Sequence, residues 1–264
     1  MFMNKWLQIS IWTLAIVLII VTLGFVEKSK EETVMLKPQI NIDYETENRF
    51  ISEGDVLSQI ISQTDTGVLL LANFKVNEIE EKLNNNHSIK EAQVYKTVNG
   101  KLIVNVKQRR PIVRIFSKDG SYYIDEKGRL MPLSHKYSAR LLVVSCNVNE
   151  PFAKRYKFNY SNLSDSLVDK TILDDIYKLA NYIDKSEFWK AQIEQIVVNK
   201  VSEFELIPKV GNHKIVFGEI TNLEGKFEKL MIFYKKGLSK TGWNEYAEIN
   251  LKYKNQVVCK KRNR

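Results

Sequence analysis

The side chains of this chain best suited to metal binding or nucleophilic attack are His87, His135, His213, Cys146 and Cys259. A zinc site needs its ligands at short spacings such as H-E-x-x-H, and these five are scattered with no such spacing. A serine nucleophile would call for a G-x-S-x-G elbow, or S-x-x-K beside an apolar helix; neither pattern occurs. Gly211–Gly218 (GNHKIVFG) spans the length of a phosphate loop but lacks G-K-[ST], and reads as a turn entering a strand. The carboxylate pair Asp174-Asp175 falls on the outer face of an amphipathic segment, where it is solvated rather than poised as an acid and a base. The histidines read as surface residues. The cysteines end apolar runs, VVSC and VVC, and read as small buried groups; whether they pair in a disulfide stays open. No catalytic residue, metal ligand or cofactor is expected.

What the chain does offer is apolar surface. Leu7–Val26 reads LQISIWTLAIVLIIVTLGFV, with no ionised side chain between Lys5 and Glu27. About 20 residues of helix rise ~30 Å, the thickness of a bilayer's hydrocarbon core. Trp6 and Trp12 suit its first interface. A signal peptide would carry a shorter apolar run, about 7–15 residues, and an A-x-A cleavage pattern. The segment therefore predicts an uncleaved anchor over 7–26, a short tail over 1–6 and a charged tether over 27–37. Lys5 precedes the span while Lys28, Lys30 and Lys37 follow, interleaved with Glu27, Glu31 and Glu32, so charge alone leaves the orientation open.

The net charge of +9 admits an anionic lipid surface or nucleic acid as a partner. Basic and aromatic residues are not interleaved on one strand, so dispersed, solvated lysines are the reading and nucleic acid is not expected. A hydrophobic fraction of 44% with only 5 prolines and 11 glycines suits folded domains rather than linkers.

The periodicity predicts two domains. In the first, Ile40, Ile42 and Tyr44 alternate as a strand, and Ser52 with Asp55 forms a helix-start signature ahead of Val56, Leu57, Ile60 and Ile61. Val76, Ile79 and Leu83 follow at helical spacing. Two strands over Ile89–Val98 and Lys101–Gln108 then flank Asn99-Gly100, a pair suited to a type I′ turn. Strand–helix–helix–strand–strand over 38–108 is a small α+β unit.

From Arg109 to Arg264 the pattern is mostly strand. Expected strands cover Ile112–Phe116, Tyr122–Asp125, Arg129–Leu133, Leu141–Cys146, Ile193–Asn199, Phe204–Lys209, Lys214–Gly218, Tyr246–Tyr253 and Gln256–Lys261. Helices are expected over Thr171–Asp184 and Glu224–Tyr234, and a surface loop over 147–170.

The order of these elements, with Gln108-Arg109-Arg110-Pro111 at the domain junction, resembles the FtsQ/DivIB family of bacterial division proteins. There a POTRA domain meets a β domain at an E-R-x-P-like motif, whose acid is replaced here by Gln108. Asp125 with Gly128 is similar to the family's D-x-x-G segment. Ile249-Asn250-Leu251-Lys252-Tyr253 is similar to its closing I/V-D-L-R-Y, with Asn250 and Lys252 as departures. The resemblance implies a single-pass protein of the cytoplasmic membrane, its N-terminus in the cytoplasm and its bulk outside, at the division septum. It implies a non-enzymatic scaffold that binds FtsL-like and FtsB-like partners and helps regulate septal peptidoglycan synthesis. A strand at a sheet edge leaves N–H and C=O groups that a partner strand can satisfy. The expected partner-binding residues are Lys252, Tyr253, Asn255, Gln256, Val257, Val258, Cys259 and Lys260. The alternatives are a POTRA-bearing export or outer-membrane assembly factor and an anchored cell-wall enzyme.

Overall fold

The structure is a computed structural model that describes residues 5–31, 37–62, 74–97, 99–118, 120–134, 136–146 and 172–263. The chain divides into two compact units, Met1–Gln108 and Arg109–Arg264. The loop expected over 147–170 and the helix cap expected at Thr171 lie outside the described residues.

The first helix, α1, runs from Lys5 to Glu31, so its backbone continues past Val26 into the stretch read as a tether. Its described side chains, Trp6 and Ser10 to Thr22, are exposed on every face, among them Trp12, Leu14, Leu18 and Ile20. Among the described residues no helix is long and apolar enough to cross a membrane. Side chains 7–9 and 23–26 of the expected anchor lie outside those described.

The rest of this unit is β1 (Gln39–Asp43), α2 (Glu53–Ile61), α3 (Val76–Asn84), β2 (Ile89–Lys96) and β3 (Leu102–Gln108). Its sheet has the order β1-β3-β2, with β1 parallel and β2 antiparallel to β3. The alternating residues Ala92, Val94, Leu102, Val104 and Val106 meet Val56, Ile60, Ile79 and Leu83 from the helices in one core. The start of α2 forms the expected capping box: Ser52 Oγ accepts from Asp55 N–H, and the Asp55 carboxylate accepts from Ser52 N–H.

The β2–β3 turn differs from the type I′ expectation. Gly100 N–H donates to the Thr97 carbonyl at 3.1 Å, Thr97 N–H donates to the Lys101 carbonyl at 2.9 Å, and Gly100 takes the positive φ of 76°. Asn99 has no positive φ, so the Asn99-Gly100 pair lacks the two left-handed residues of a type I′ turn.

The second unit carries one mixed sheet of nine strands. They are β4 (Pro111–Ser117), β5 (Gly120–Asp125), β6 (Leu130–Met131), β7 (Leu142–Cys146), β8 (Ile193–Val198), β9 (Phe204–Pro208), β10 (Lys214–Gly218), β11 (Tyr246–Asn250) and β12 (Val258–Lys261). The order is β12-β11-β10-β9-β8-β7-β4-β5-β6, so the chain's last strand lies on the border.

One sheet face is covered by α4 (Ile172–Lys185), α5 (Glu187–Gln192) and α6 (Leu223–Phe233). Ile176, Leu179 and Ile183 of α4, Trp189 of α5 and Phe227 and Leu230 of α6 share a core with Val144, Ile196, Leu206, Ile215 and Ile249 of the strands. The opposite face is half-exposed and mixed: Lys214 meets Glu205 at 3.0 Å and Glu248 at 3.8 Å, and Gln195 donates to Ser145 at 2.8 Å.

Two features escaped the periodicity. The short α5 is capped by Ser186, whose Oγ accepts from Trp189 N–H. α6 passes into a π-turn over Tyr234–Leu238. There Phe233 lies so close over Gly237 that a Cβ would come within 2.8 Å of its ring.

The first residues of the second unit are held by charge. Asp125, buried, accepts from the N–H groups of Lys127 and Arg129 through Oδ1 and from Arg129 Nε through Oδ2, with Arg109 Nε 4.0 Å away. Arg110 meets Glu126 at 3.0 Å and Asp184 at 2.8 Å. The motif residues are thus structural ties.

Candidate partner-binding edge

The candidate site is built around β12. It pairs antiparallel with β11 through Asn250↔Val258, Ile249↔Cys259, Glu248↔Lys260 and Tyr246↔Lys261, with a bulge between Tyr246 and Glu248. Among the described residues no strand pairs with its other side. Arg262 N–H donates to the Glu245 carbonyl, so strand alternation points the N–H groups of Val258 and Lys260 inward to β11. Those of Cys259 and Lys261 point outward, to where a further strand would lie.

β11 ends at Asn250 rather than at the expected Tyr253. Asn250 Oδ1 accepts from Lys252 N–H at 3.0 Å, a local turn that competes with the ladder. Two lysines of α6 hold the ends of β10 and β11. Lys226 is buried and donates to the carbonyls of Phe217 and Glu219 at 2.9 and 2.7 Å; burial holds its pKa below the ordinary lysine value, with Lys229 pushing the same way. Lys229 donates to the carbonyls of Leu251, Tyr253 and Lys254 at 3.2, 2.6 and 3.5 Å. An ammonium group has three N–H donors, and three carbonyls surround this one.

Between α6 and the hairpin runs a groove of about 420 Å³, lined by Lys229, Ile232, Phe233, Lys236, Gly237, Asn255, Gln256 and Val257. Ile232 is half exposed there. The structure therefore brings Asn255, Gln256 and Val257 to a groove and sets Val258, Cys259 and Lys260 along the adjoining edge. Tyr253 is exposed at the turn. Lys252 stands apart: its ammonium is 2.5 Å from Glu203 Oε1, its stem crosses Gly218, and the contact lowers the Glu203 pKa and raises that of Lys252. The α6 contribution was missed in the sequence, where Leu223, Phe227, Leu230, Met231 and Tyr234 made the core face. Ile232 and Phe233, apolar yet off that face, were the available signal.

Cys146 and Cys259 are not joined in a disulfide. Burial pushes the Cys259 pKa up, which disfavours the reactive thiolate. His213 corrects the surface reading of the histidines. It is buried, its Nε2 lies 3.2 Å from the Tyr234 hydroxyl, and the Trp243 ring stacks nearby. Among the described residues no group of three or more His, Cys, Asp or Glu could hold a metal ion. A concavity of about 540 Å³ lies beside β4, β7 and α4. Its Asp184 is tied to both Arg110 and Lys190.

A three-stranded sheet under two helices, in this connection order, defines a POTRA-like unit, and residues 36–107 match the POTRA-like domain. Residues 110–260, more than half of the 264-residue chain, match FtsQ/DivIB, C-terminal related. The chain belongs to the FtsQ/DivIB family. The curated proteins include no match to it.

Proposed function

We propose that this chain is a non-enzymatic scaffold of the division complex, and that its β12 edge takes up a strand from an FtsB-like partner, with an FtsL-like protein in the same assembly. The observation that carries the reading is the border position of β12, whose outer side meets no other strand among the described residues. The Cys259 and Lys261 main-chain groups supply affinity, and side chains of the edge and groove select the partner. Through this assembly the scaffold helps regulate septal peptidoglycan synthesis.

The same proposal places α1 in the cytoplasmic membrane, N-terminus inside. The described side chains from Ile11 to Val21 of α1 carry no charge and are exposed on every face, and such a surface needs an apolar medium around it. The Ser10 and Thr22 hydroxyls return to helix carbonyls of Trp6 and Leu18, which spares them an unpaired state in lipid.

Proline tests the edge. Cys259→Pro removes an outward donor and keeps the inward pairing of Val258 and Lys260, a substitution edge strands tolerate. Co-purification with the FtsB-like protein of the same cell should succeed for the wild type and fail for a folded Cys259→Pro variant. Equal recovery of the partner would remove β12 as the docking edge. Failure of a fluorescent fusion of the wild type to reach midcell would remove the division role itself.

A further inference from the structure

We propose that the β2 edge of the POTRA-like unit is closed to incoming strands by two side chains of α3, Asn84 and Glu80. This inference is independent of the partner assigned to β12. β2 is a border strand of its sheet, with Tyr95 exposed. Such an edge is a template for pairing with another chain unless something covers it.

The cover is specific. Asn84 Oδ1 accepts from Ala92 N–H at 2.8 Å, and Asn84 Nδ2 donates to the Ala92 carbonyl at 3.3 Å. One carboxamide therefore takes both main-chain groups of one residue, as the N–H and C=O of a directly opposed residue on an antiparallel strand would. Glu80 Oε2 accepts from Val94 N–H at 2.9 Å. These groups of Ala92 and Val94 are turned away from β3.

The spacing explains why a helix can do this. Glu80 and Asn84 are i and i+4 on α3, one ridge separated by a rise of about 6 Å. Ala92 and Val94 are i and i+2 on a strand, about 6.8 Å apart. The two repeats nearly coincide, and the pairing runs antiparallel, Asn84 to Ala92 and Glu80 to Val94. Ile79 and Leu83, each one residue earlier on the helix, are buried in the core and fix the ridge above the edge. The consequence is that strand addition on this unit is barred at β2.

Residue-resolved hydrogen exchange on the full-length chain reads the contacts directly. Ala92 and Val94 amides should be protected in the wild type. Asn84→Ala should speed exchange at Ala92 about tenfold, the factor carried by a hydrogen bond of typical net strength, and spare Val94; Glu80→Ala should do the reverse. Glu80→Gln, which keeps an acceptor, should retain protection at Val94. A fluorescein-labelled synthetic peptide IKEAQVYK, copying Ile89–Lys96, then probes the edge by anisotropy. The double variant Asn84→Ala/Glu80→Ala should bind it and the wild type should not. Unchanged exchange in the single variants overturns the proposal. So does wild-type binding as tight as the variant's, and so does faster exchange without any gain in peptide binding.

Discussion

Lys229 Nζ stands 2.6 Å from the carbonyl oxygen of Tyr253, and the same ammonium reaches the carbonyls of Leu251 and Lys254. Carbonyls at the end of a strand have no ladder partner and need a donor. Here one side chain from α6 serves three of them at the turn that leads to β12. The position of the free edge is thus set from the helix layer as well as by the β11 ladder.

Removing that donor should loosen the edge before it harms the core. Lys229→Met keeps the aliphatic stem and loses the ammonium. It should lower unfolding stability by about 1–2 kcal/mol, toward the low end for a charged hydrogen bond because the group is partly exposed. Hydrogen exchange should accelerate at 258–261 and stay unchanged at the α4 core positions Ile176 and Leu179. Uniform acceleration across the domain would mean that Lys229 supports the fold generally and not the hairpin.

His213 predicts a pH response. Burial lowers its pKa below the ordinary histidine value; the Trp243 backbone opposes this, and Arg262 adds to it. The imidazole also faces the Tyr234 hydroxyl, whose own pKa burial raises. With the folded pKa depressed, the unfolded chain binds the proton more readily. The stabilisation is therefore full above the unfolded pKa of about 6.5 and is lost as pH falls from there toward the folded value. The urea midpoint should fall between about pH 7.5 and about pH 5.5. His213→Gln, which keeps a polar partner for Tyr234, should shrink that difference. An equal difference in the variant would assign the pH response to other groups.

Local spacing made the POTRA-like unit legible, because its element signals agreed even though the turn type at Asn99-Gly100 did not: the Ser52–Asp55 box, the alternation in β2 and β3, and the Ile79–Leu83 stripe. The β domain was legible as a list of strands but not as an order. Parallel pairs such as β4–β7 and β10–β11 bring together segments far apart in sequence, and no local pattern encodes that. The edge position of the last strand was anticipated through the family resemblance. The groove beside it was not, since it needs α6, the π-turn and Gly237 together. Lys252 shows the limit of carrying a role over by position: the sequence offers a free cation, while the fold gives its charge to Glu203, brought near by the β9 and β11 ends.

That pair yields a sharper test of Lys252 than its removal does. Glu203→Gln frees the ammonium without shortening either side chain. If Lys252 meets an acidic group of the proposed partner, the variant should capture that partner more tightly, and the gain should fade as salt is raised. The thermal midpoint should move little, since exposed ion pairs contribute little to stability. Unchanged capture at low salt would place Lys252 outside the recognition surface.

Gln108 is the point where this chain departs from the family's acidic junction residue, and the structure gives the departure a chemical reason. Its side chain is fully buried. Oε1 accepts from the N–H groups of Phe50 and Ile51 at 2.7 and 3.2 Å, while Nε2 donates to the Asn48 carbonyl at 2.8 Å. A carboxylate could serve the two N–H groups but would face the Asn48 carbonyl with a second acceptor. Gln108→Leu should take away the acceptor that two buried N–H groups share and cost about 2–4 kcal/mol. Gln108→Glu should cost less, because both donors keep a partner. Chemical denaturation followed through the POTRA-like unit orders the three proteins, wild type above Gln108→Glu above Gln108→Leu. A Gln108→Leu protein as stable as the wild type would mean that the 48–51 segment finds other acceptors, and that this buried amide does not pin it to the end of β3.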